Sequence, residues 1–125
     1  MTDWRFRKQQ HLRLPTEFQR VYDLRNRASD HHLLIYSSSN DSHQTETPVS
    51  RIGLSVSRKH GPAVVRNRIK RLLREAFRLS QHELPVGFDL ILIPRNGSQA
   101  TLRDYRRSLK RLCHKLADRE QEKNS

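Results

Sequence analysis

The most distinctive chemistry in this chain belongs to a basic run near its middle. The segment from Arg58 to Arg78 holds eight lysines or arginines and a single acid, Glu75. Lys and Arg side chains at this density position phosphate groups rather than read bases. The run therefore predicts a surface that binds a polyanion.

The periodicity of the run predicts an amphipathic helix. At about 100° per residue its apolar side chains fall in one arc that can dock on a sheet. They are Val65, Ile69, Leu72, Leu73, Ala76 and Phe77. Arg66, Lys70 and Arg74 stack at i, i+4 and i+8, and each like-charge pair costs about 0.2–0.5 kcal/mol. Bound phosphates would remove that cost; the alternative is a solvated face, which usually mixes charges of both signs.

A second possible chemistry is base stacking. Phe18 and Tyr22 are four residues apart in a predicted helix, and Tyr36 lies in a predicted strand. Aromatic rings stack on unpaired bases with about 1–3 kcal/mol per base. An aromatic pair at i, i+4 is more often part of a core, so the residues alone favour a core role.

The other reactive side chains show no catalytic or metal-binding pattern. Cys113 is the single cysteine, which excludes an intramolecular disulfide and is typical of a reducing compartment. The seven histidines show no HxxxH spacing, and no CxxC, nucleophile elbow, Walker loop or dinucleotide motif is present. We predict no catalytic residue, metal site or cofactor in the protein itself.

The overall charge narrows the class of partner. The chain of 125 residues has 25 Lys and Arg against 13 Asp and Glu, a net charge of +12. Such a charge indicates a nucleic-acid partner first, an anionic membrane surface second and a merely solubilising role third. The N-terminus has no apolar core of a secretory signal, and no apolar run approaches the ~20 residues of a membrane helix. We predict a cytoplasmic protein without membrane association.

The remaining segments predict the elements that position these residues. Helices are expected at about 15–24, 62–80 and from Thr101 onward, and strands at about 32–38, 51–57 and 88–94. One mixed sheet covered by helices, an α+β sandwich, is the natural packing. We expect a single domain over residues 1–125, with a flexible basic arm at 1–13 and a flexible polar tail at 118–125.

The segment RIGLSVSRKHGPAVVRNRIKRLLREAF, with its small-residue strand, basic pair and Arg-Asn-Arg helix, resembles the signature region of the bacterial ribonuclease P protein subunit. The resemblance extends upstream through FQRVY and LLIY. It implies an αβββαβα order with a four-stranded mixed sheet, three helices and a left-handed βαβ crossover, a ribosomal protein S5 domain 2-like fold. The partners it implies are the catalytic ribonuclease P RNA, which carries the Mg²⁺-dependent chemistry, and precursor tRNA, whose 5′ leader is removed.

The resemblance also implies two sets of site residues. The residues implied to bind the catalytic RNA are Arg58, Lys59, Arg66, Asn67, Arg68, Lys70, Arg71 and Arg74. The residues implied to form the 5′-leader cleft are Phe18, Tyr22, Tyr36, Ser55 and Ser57. The small face of Gly53, Ser55 and Ser57 would let the leader backbone lie against the sheet.

Several alternatives remain open. One is a non-catalytic RNA-binding module, such as a ribosomal protein or an RNA chaperone. A DNA-binding regulator is disfavoured, because a strand rather than a short helix precedes Pro62, and we expect no DNA partner. The basic residues of the third helix are either a second phosphate-facing surface or a solvated face. A second Arg-Asn-Arg copy, at Arg25 to Arg27, is interpreted as an ordinary basic surface patch or at most an auxiliary phosphate contact.

Overall fold

The computed structural model describes residues 6, 8–40, 49–95 and 99–124. Its helices are α1 (Pro15–Asp23), α2 (Ala63–Ser80) and α3 (Leu102–Asn124). Its strands are β1 (Arg27–Ser29), β2 (Leu33–Ser39), β3 (Arg51–Leu54) and β4 (Phe88–Pro94). Short 3₁₀ turns lie at Lys8–Gln10, Arg58–His60 and Gln81–Glu83. The order αβββαβα is the one that the family resemblance implied; the residue patterns alone predicted the helices and the strands other than β1.

The four strands form one mixed sheet in the order β1-β2-β4-β3. The β1–β2 and β2–β4 pairs are antiparallel, whereas β3 and β4 are parallel neighbours joined through α2. In the central strand β4, Ile91 is aligned with Tyr36 on one side and Gly53 on the other. The fold is therefore α+β, with one βαβ unit inside a largely antiparallel sheet.

The two faces of the sheet are covered differently. Helices α2 and α3 cover one face and form the main core with alternate strand residues, because successive side chains of a strand point to opposite faces. The most deeply buried side chains of this core include Leu33, Ile35, Leu73, Phe77, Leu92, Leu109 and Leu116. Among the described residues, α1 and the arm residue Leu12 pack on the opposite face, where a smaller cluster centres on Leu12, Val21 and Ile91.

The N-terminal arm differs from the predicted flexible segment. Leu12 is buried and its backbone N–H donates to Ile52 O at 2.8 Å, so the arm adds to the edge of β3. The Phe6 ring stacks on His11, with centroids 4.0 Å apart, and packs against Phe77. Apolar side chains at Phe6 and Leu12 thus hold the described part of the arm; residues 1–5 and 7 lie outside the described residues.

Two other boundaries also differ. Strand β3 ends at Leu54 rather than at Ser57, although Ser55 N–H still donates to Leu92 O at 3.0 Å. Helix α3 continues to Asn124, so the predicted flexible tail is helical through that residue. Tertiary contacts support this last part, because Arg119 Nη1 donates to Arg27 O at 2.5 Å.

Candidate nucleic-acid interface

A network of ion pairs fixes α1 at one end of the sheet. The Arg51 guanidinium donates two hydrogen bonds to Asp89, at 2.8 and 2.7 Å, and a third to Glu17 on α1 at 2.5 Å. The Asp89 side chain is only 1% exposed, so this pairing compensates a buried charge. Hydrogen bonding to Asp89 raises the pKa of Arg51. The network ties α1 to strands β3 and β4.

The start of α1 is fixed by the same glutamate. Glu17 Oε1 accepts backbone N–H bonds from Arg13 at 3.1 Å and Leu14 at 3.0 Å, which satisfies donors that a helix start leaves free. The Leu14 N–H bond is the main cause that lowers the pKa of Glu17. Pro15 occupies the first turn, where its missing N–H costs nothing. These contacts set the position of Phe18, one turn further on.

Phe18 lies directly on the sheet. A Cβ atom placed on Gly53 would lie 2.3 Å from Phe18 Cζ, which no real contact allows. Glycine is therefore required at position 53 so that the ring can approach the strand. The sequence predicted that small residues here would admit a leader backbone; at Gly53 the Phe18 ring fills that space instead.

Tyr22 and Tyr36 continue the aromatic surface. Their rings meet edge to face with centroids 4.9 Å apart, and both side chains are half-buried. Arg27 Nη1 donates to the Tyr36 hydroxyl at 3.2 Å, and the Arg27 guanidinium lies 6.0 Å from the ring centroid. Phe18, Tyr22 and Tyr36 therefore form one partly exposed aromatic floor between α1 and the open sheet, which we call the aromatic cleft.

Cations from α2 lie beside this floor. A hollow of about 240 Å³ is lined by Phe18 and Gly53 together with Lys70 and Arg74. His11 lines the same hollow, and burial together with Arg13 and Arg74 lowers its pKa. The imidazole therefore stays neutral more readily than usual, and the hollow combines an aromatic ring with a positive potential. This pairing suits a nucleotide, whose base stacks while its phosphate is neutralised.

The remaining α2 cations face elsewhere. Arg68 lines a separate cavity of about 540 Å³ with Lys59, His60, Arg95 and Tyr105. Asn67 and Arg71 are exposed, and Arg66 is half-buried with its Nε donating to Gly61 O at 3.2 Å. The residues predicted as one RNA-binding set are thus divided between the aromatic cleft and the outer side of α2.

The predicted serines, Ser55 and Ser57, and the basic pair that follows them lie in the segment that joins β3 to α2. Ser55 is half-buried just beyond β3, whereas Ser57 is exposed and precedes the turn that carries Arg58 and Lys59. Both basic side chains of the turn are exposed. Gly61 then reverses the chain with φ of 129°, a conformation that favours glycine, before α2 begins at Ala63.

The apolar face of α2 holds the cations in place. Leu73, Ala76 and Phe77 are fully buried, and Val65, Ile69 and Leu72 are half-buried, as the helical periodicity predicted. No acid lies in the first turn of α2, so its backbone N–H groups add to the positive potential of this end.

Arg13, Arg27 and Arg95 were not among the predicted site residues. Arg27 is aligned with Tyr36 across the β1–β2 pair. Aligning the sequences of β1 and β2 as an antiparallel pair would have identified Arg27 as a neighbour of Tyr36, because residues aligned in such a pair share a face.

The described residues contain no group of three or more His, Cys, Asp or Glu side chains that could hold a metal ion. Cys113 is buried, and burial raises its pKa to about 12, so its thiol is inert. Within the same described ranges, no helix is long and apolar enough to cross a bilayer.

Comparison with known proteins identifies the family. The Ribonuclease P family profile matches residues 6–117. This chain belongs to the ribonuclease P protein family. The ribonuclease P protein component of Clostridioides difficile (strain 630) is 37% identical over 109 residues, covering 86% of this chain and 91% of the relative. That of Haemophilus influenzae (strain PittGG) is 41% identical over 98 residues, covering 78% and 77%.

Solved structures of ribonuclease P proteins have the same fold. The Staphylococcus aureus RNase P protein aligns with a TM-score of 0.70 at 30% identity, covering 86% of this chain and 94% of that protein. The RNase P protein from Thermotoga maritima aligns with a TM-score of 0.69 at 29% identity, covering 82% and 96%. The family is the protein component of an endoribonuclease that processes tRNA, so the aromatic and cationic surfaces above belong to an RNA-processing subunit.

Proposed function

We propose that this protein binds the catalytic ribonuclease P RNA and the 5′ leader of precursor tRNA, and so assists removal of the leader. The observation that carries the proposal is the hollow in which Phe18 lies on Gly53 beside Lys70 and Arg74. An aromatic ring next to two cations is the combination that binds a single-stranded nucleic acid without reading its sequence.

The leader would lie along the aromatic cleft. Unpaired bases would stack on Phe18, Tyr22 and Tyr36, while Lys70 and Arg74 neutralise phosphates on the α2 side. Ser55 and Ser57 follow β3 toward α2 and offer hydroxyls to the same strand. Because stacking tolerates any base, this surface would accept leaders of different sequence.

The outer side of α2 would face the catalytic RNA. Asn67, Arg68 and Arg71 are exposed and Arg66 is half-exposed, with Arg58 and Lys59 on the preceding turn. A protein that contacts both RNAs through neighbouring cations of one helix fixes the leader relative to the catalytic RNA. Holding reactants in register in this way lowers the entropic part of the barrier.

The chemistry of cleavage would belong to the RNA. We infer that Mg²⁺ is required by the holoenzyme and is held mainly by RNA phosphates, which supply the oxygen ligands that Mg²⁺ prefers. The protein contributes cations that reduce repulsion between the two RNAs, so it should lower the Mg²⁺ concentration that the RNA needs. The proposal places the protein in the cytoplasm, with precursor tRNA.

Reconstitution tests this proposal. The protein is mixed with a bacterial-type ribonuclease P RNA and a precursor tRNA at a low Mg²⁺ concentration at which the RNA alone is inactive. Restored cleavage at the mature 5′ end is the expected result. Binding of RNA without any rescue of a competent catalytic RNA would instead indicate a non-catalytic RNA-binding module.

A further inference from the structure

A second cationic groove lies at the edge strand β1 and shares Arg95 with the cavity that holds Arg68. It has a volume of about 450 Å³. Its walls carry four basic side chains, which are Arg27, Arg95, Lys115 and Arg119. Its remaining lining residues are Ala28, Ser29 and Leu34. We call this the edge groove.

Helix α3 contributes to the edge groove by reaching around β1. The backbone of Arg27 faces away from β2, because the neighbouring Asn26 and Ala28 positions make the ladder bonds. Arg119 Nη1 donates to this outward Arg27 O at 2.5 Å. The contact caps the free edge of the sheet and holds the end of α3 against it.

Within the part of the chain that the structure describes, no acid pairs with the four cations of the edge groove. Elsewhere on α3, Lys110 pairs with Glu83 and Arg111 pairs with Asp30, each at 2.5 Å. Across residues 8–40, 49–95 and 99–122, no carboxylate lies within ion-pair distance of the Arg27, Arg95, Lys115 or Arg119 side chains. Four like charges in one groove repel one another, so a polyanion that enters it gains attraction and relieves repulsion.

The edge groove continues the aromatic cleft. Leu34 lies two residues before Tyr36 on β2 and therefore on the same face of the sheet. Arg27 is aligned with Tyr36 and donates to its hydroxyl. Arg95 directly follows β4, at the same alternate positions of the strand as Ile91 and Ile93. Its backbone N–H donates to His32 O at 3.0 Å. A strand leaving the Tyr36 ring along the open sheet would enter the groove without crossing another element.

We propose that the edge groove is a phosphate-binding subsite for the distal part of the 5′ leader, beyond the nucleotides that stack on Tyr36. This inference rests on the proposed function, because it extends the same RNA path. The groove has no aromatic lining residue, so it binds the backbone and not the bases. Its contribution should therefore depend on leader length and on salt, and not on leader sequence.

The test uses the reconstituted holoenzyme and two precursor tRNAs with leaders of roughly 4 and roughly 16 nucleotides, the range of single-strand site sizes. The test variant is Lys115→Gln, because Lys115 lines the edge groove and not the cavity that holds Arg68, whereas Arg95 lines both. The variant should weaken binding of the long-leader precursor and lower its log–log salt slope by about 0.7, the value for one single-strand phosphate contact. Binding of the short-leader precursor should be unchanged.

The matched control is Arg107→Gln, which removes one charge from an exposed position of α3, the helix that carries Lys115. This control should leave both precursors bound as by the unaltered protein. Equal weakening of both leader lengths, or weakened assembly of the test variant with the catalytic RNA, would overturn the proposal and assign the groove to another RNA surface. If the test variant binds both precursors and the catalytic RNA as the unaltered protein does, the proposal is also overturned, and the edge groove is a solvated basic patch.

These outcomes are separable from failure of the proposed function. If the unaltered protein does not rescue cleavage, the proposed function fails. If it rescues cleavage and the test variant shows no dependence on leader length, only the edge-groove inference fails.

Discussion

The tripeptide Arg-Asn-Arg occurs twice in this protein, in two different structural settings. In the first copy Arg25 adopts a left-handed φ of 53°, Asn26 is buried and Arg27 begins the edge strand β1. In the second copy, residues 66–68, all three residues lie in the first half of α2. The comparison teaches that backbone and burial, not residue type, decide what a short basic motif does.

The asparagines show the difference most clearly. Asn26 is 5% exposed and its Nδ2 donates to the Ser37 hydroxyl at 3.2 Å, so it ties β1 to β2. Asn67 is exposed on α2, where it is available to an RNA. The first copy therefore has a buried centre that ties two strands together, whereas under the proposed function the second copy contacts the RNA.

The largest effect is expected from the second copy. Arg66→Ala/Arg68→Ala should weaken assembly with the catalytic RNA by about 3 kcal/mol, at about 1.5 kcal/mol per charged hydrogen bond, or roughly 100-fold. The log–log salt slope should fall by about 2, one unit per lost phosphate contact. Filter binding or fluorescence titration over a range of salt concentrations measures both.

The matched variant in the first copy is Arg25→Ala/Arg27→Ala, which removes the same charge. It should leave assembly with the catalytic RNA unchanged. If both double variants weaken assembly equally, the two copies contribute equally to binding of the catalytic RNA, which would contradict the difference proposed here.

Tyr36 tests the surface beside the first copy. Tyr36→Ala removes a ring on which a base can stack. It should therefore weaken binding of leader-bearing precursor tRNA by about 2 kcal/mol more than binding of mature tRNA. Tyr36→Phe keeps the ring and loses only the hydroxyl contact with Arg27, so it should cost about 0.5 kcal/mol. Competition binding of precursor and mature tRNA to the holoenzyme separates the two, and equal losses for both RNAs would assign Tyr36 to the core.

The two asparagines should differ in stability. Asn26→Ala leaves the buried Ser37 hydroxyl without its donor and should lower the free energy of unfolding by about 1.5 kcal/mol. Asn67→Ala removes an exposed side chain and should change it by less than about 0.5 kcal/mol. Urea denaturation measures both variants, and a larger loss for Asn67→Ala would contradict the burial argument.

The smallest effect concerns the first arginine of each copy. Arg25 is the single non-glycine residue of the described chain with positive φ, and Arg25→Gly should raise the free energy of unfolding by about 0.5 kcal/mol as steric strain is relieved. Arg66→Gly places glycine in a helix and should lower it by about 1 kcal/mol. Opposite signs in thermal denaturation are the expected result; a loss in both variants would mean that Arg25 has contacts worth more than its strain.

Much of the architecture could be predicted from periodicity. The apolar arc of α2 is buried as its 3.6-residue spacing requires, and β4 spans Phe88–Pro94, the segment that turn residues enclose in the sequence. Local patterns of this kind identify elements because burial of one face imposes the pattern. The resemblance to ribonuclease P proteins is also confirmed by the family comparison.

Other features could not be predicted, because they depend on residues distant in sequence. The arm looked flexible because it is basic, yet Leu12 pairs with Ile52, forty residues away. The tail looked flexible because it is polar, yet Arg119 is hydrogen-bonded to Arg27. The division of the α2 cations between the aromatic cleft and the Arg68 cavity follows from where the arm and α3 pack, which the helix sequence does not contain.

The sequence by itself determined the class of polyanionic partner, the amphipathic helix and the elements other than β1, since charge and hydrophobic periodicity are local properties. The tertiary structure alone decided the roles of the two Arg-Asn-Arg copies. It buried Asn26 against Ser37, aligned Arg27 with Tyr36 and left Asn67 exposed. The physical reason is that burial and strand register are set by long-range packing, and identical tripeptides acquire different neighbours when that packing differs.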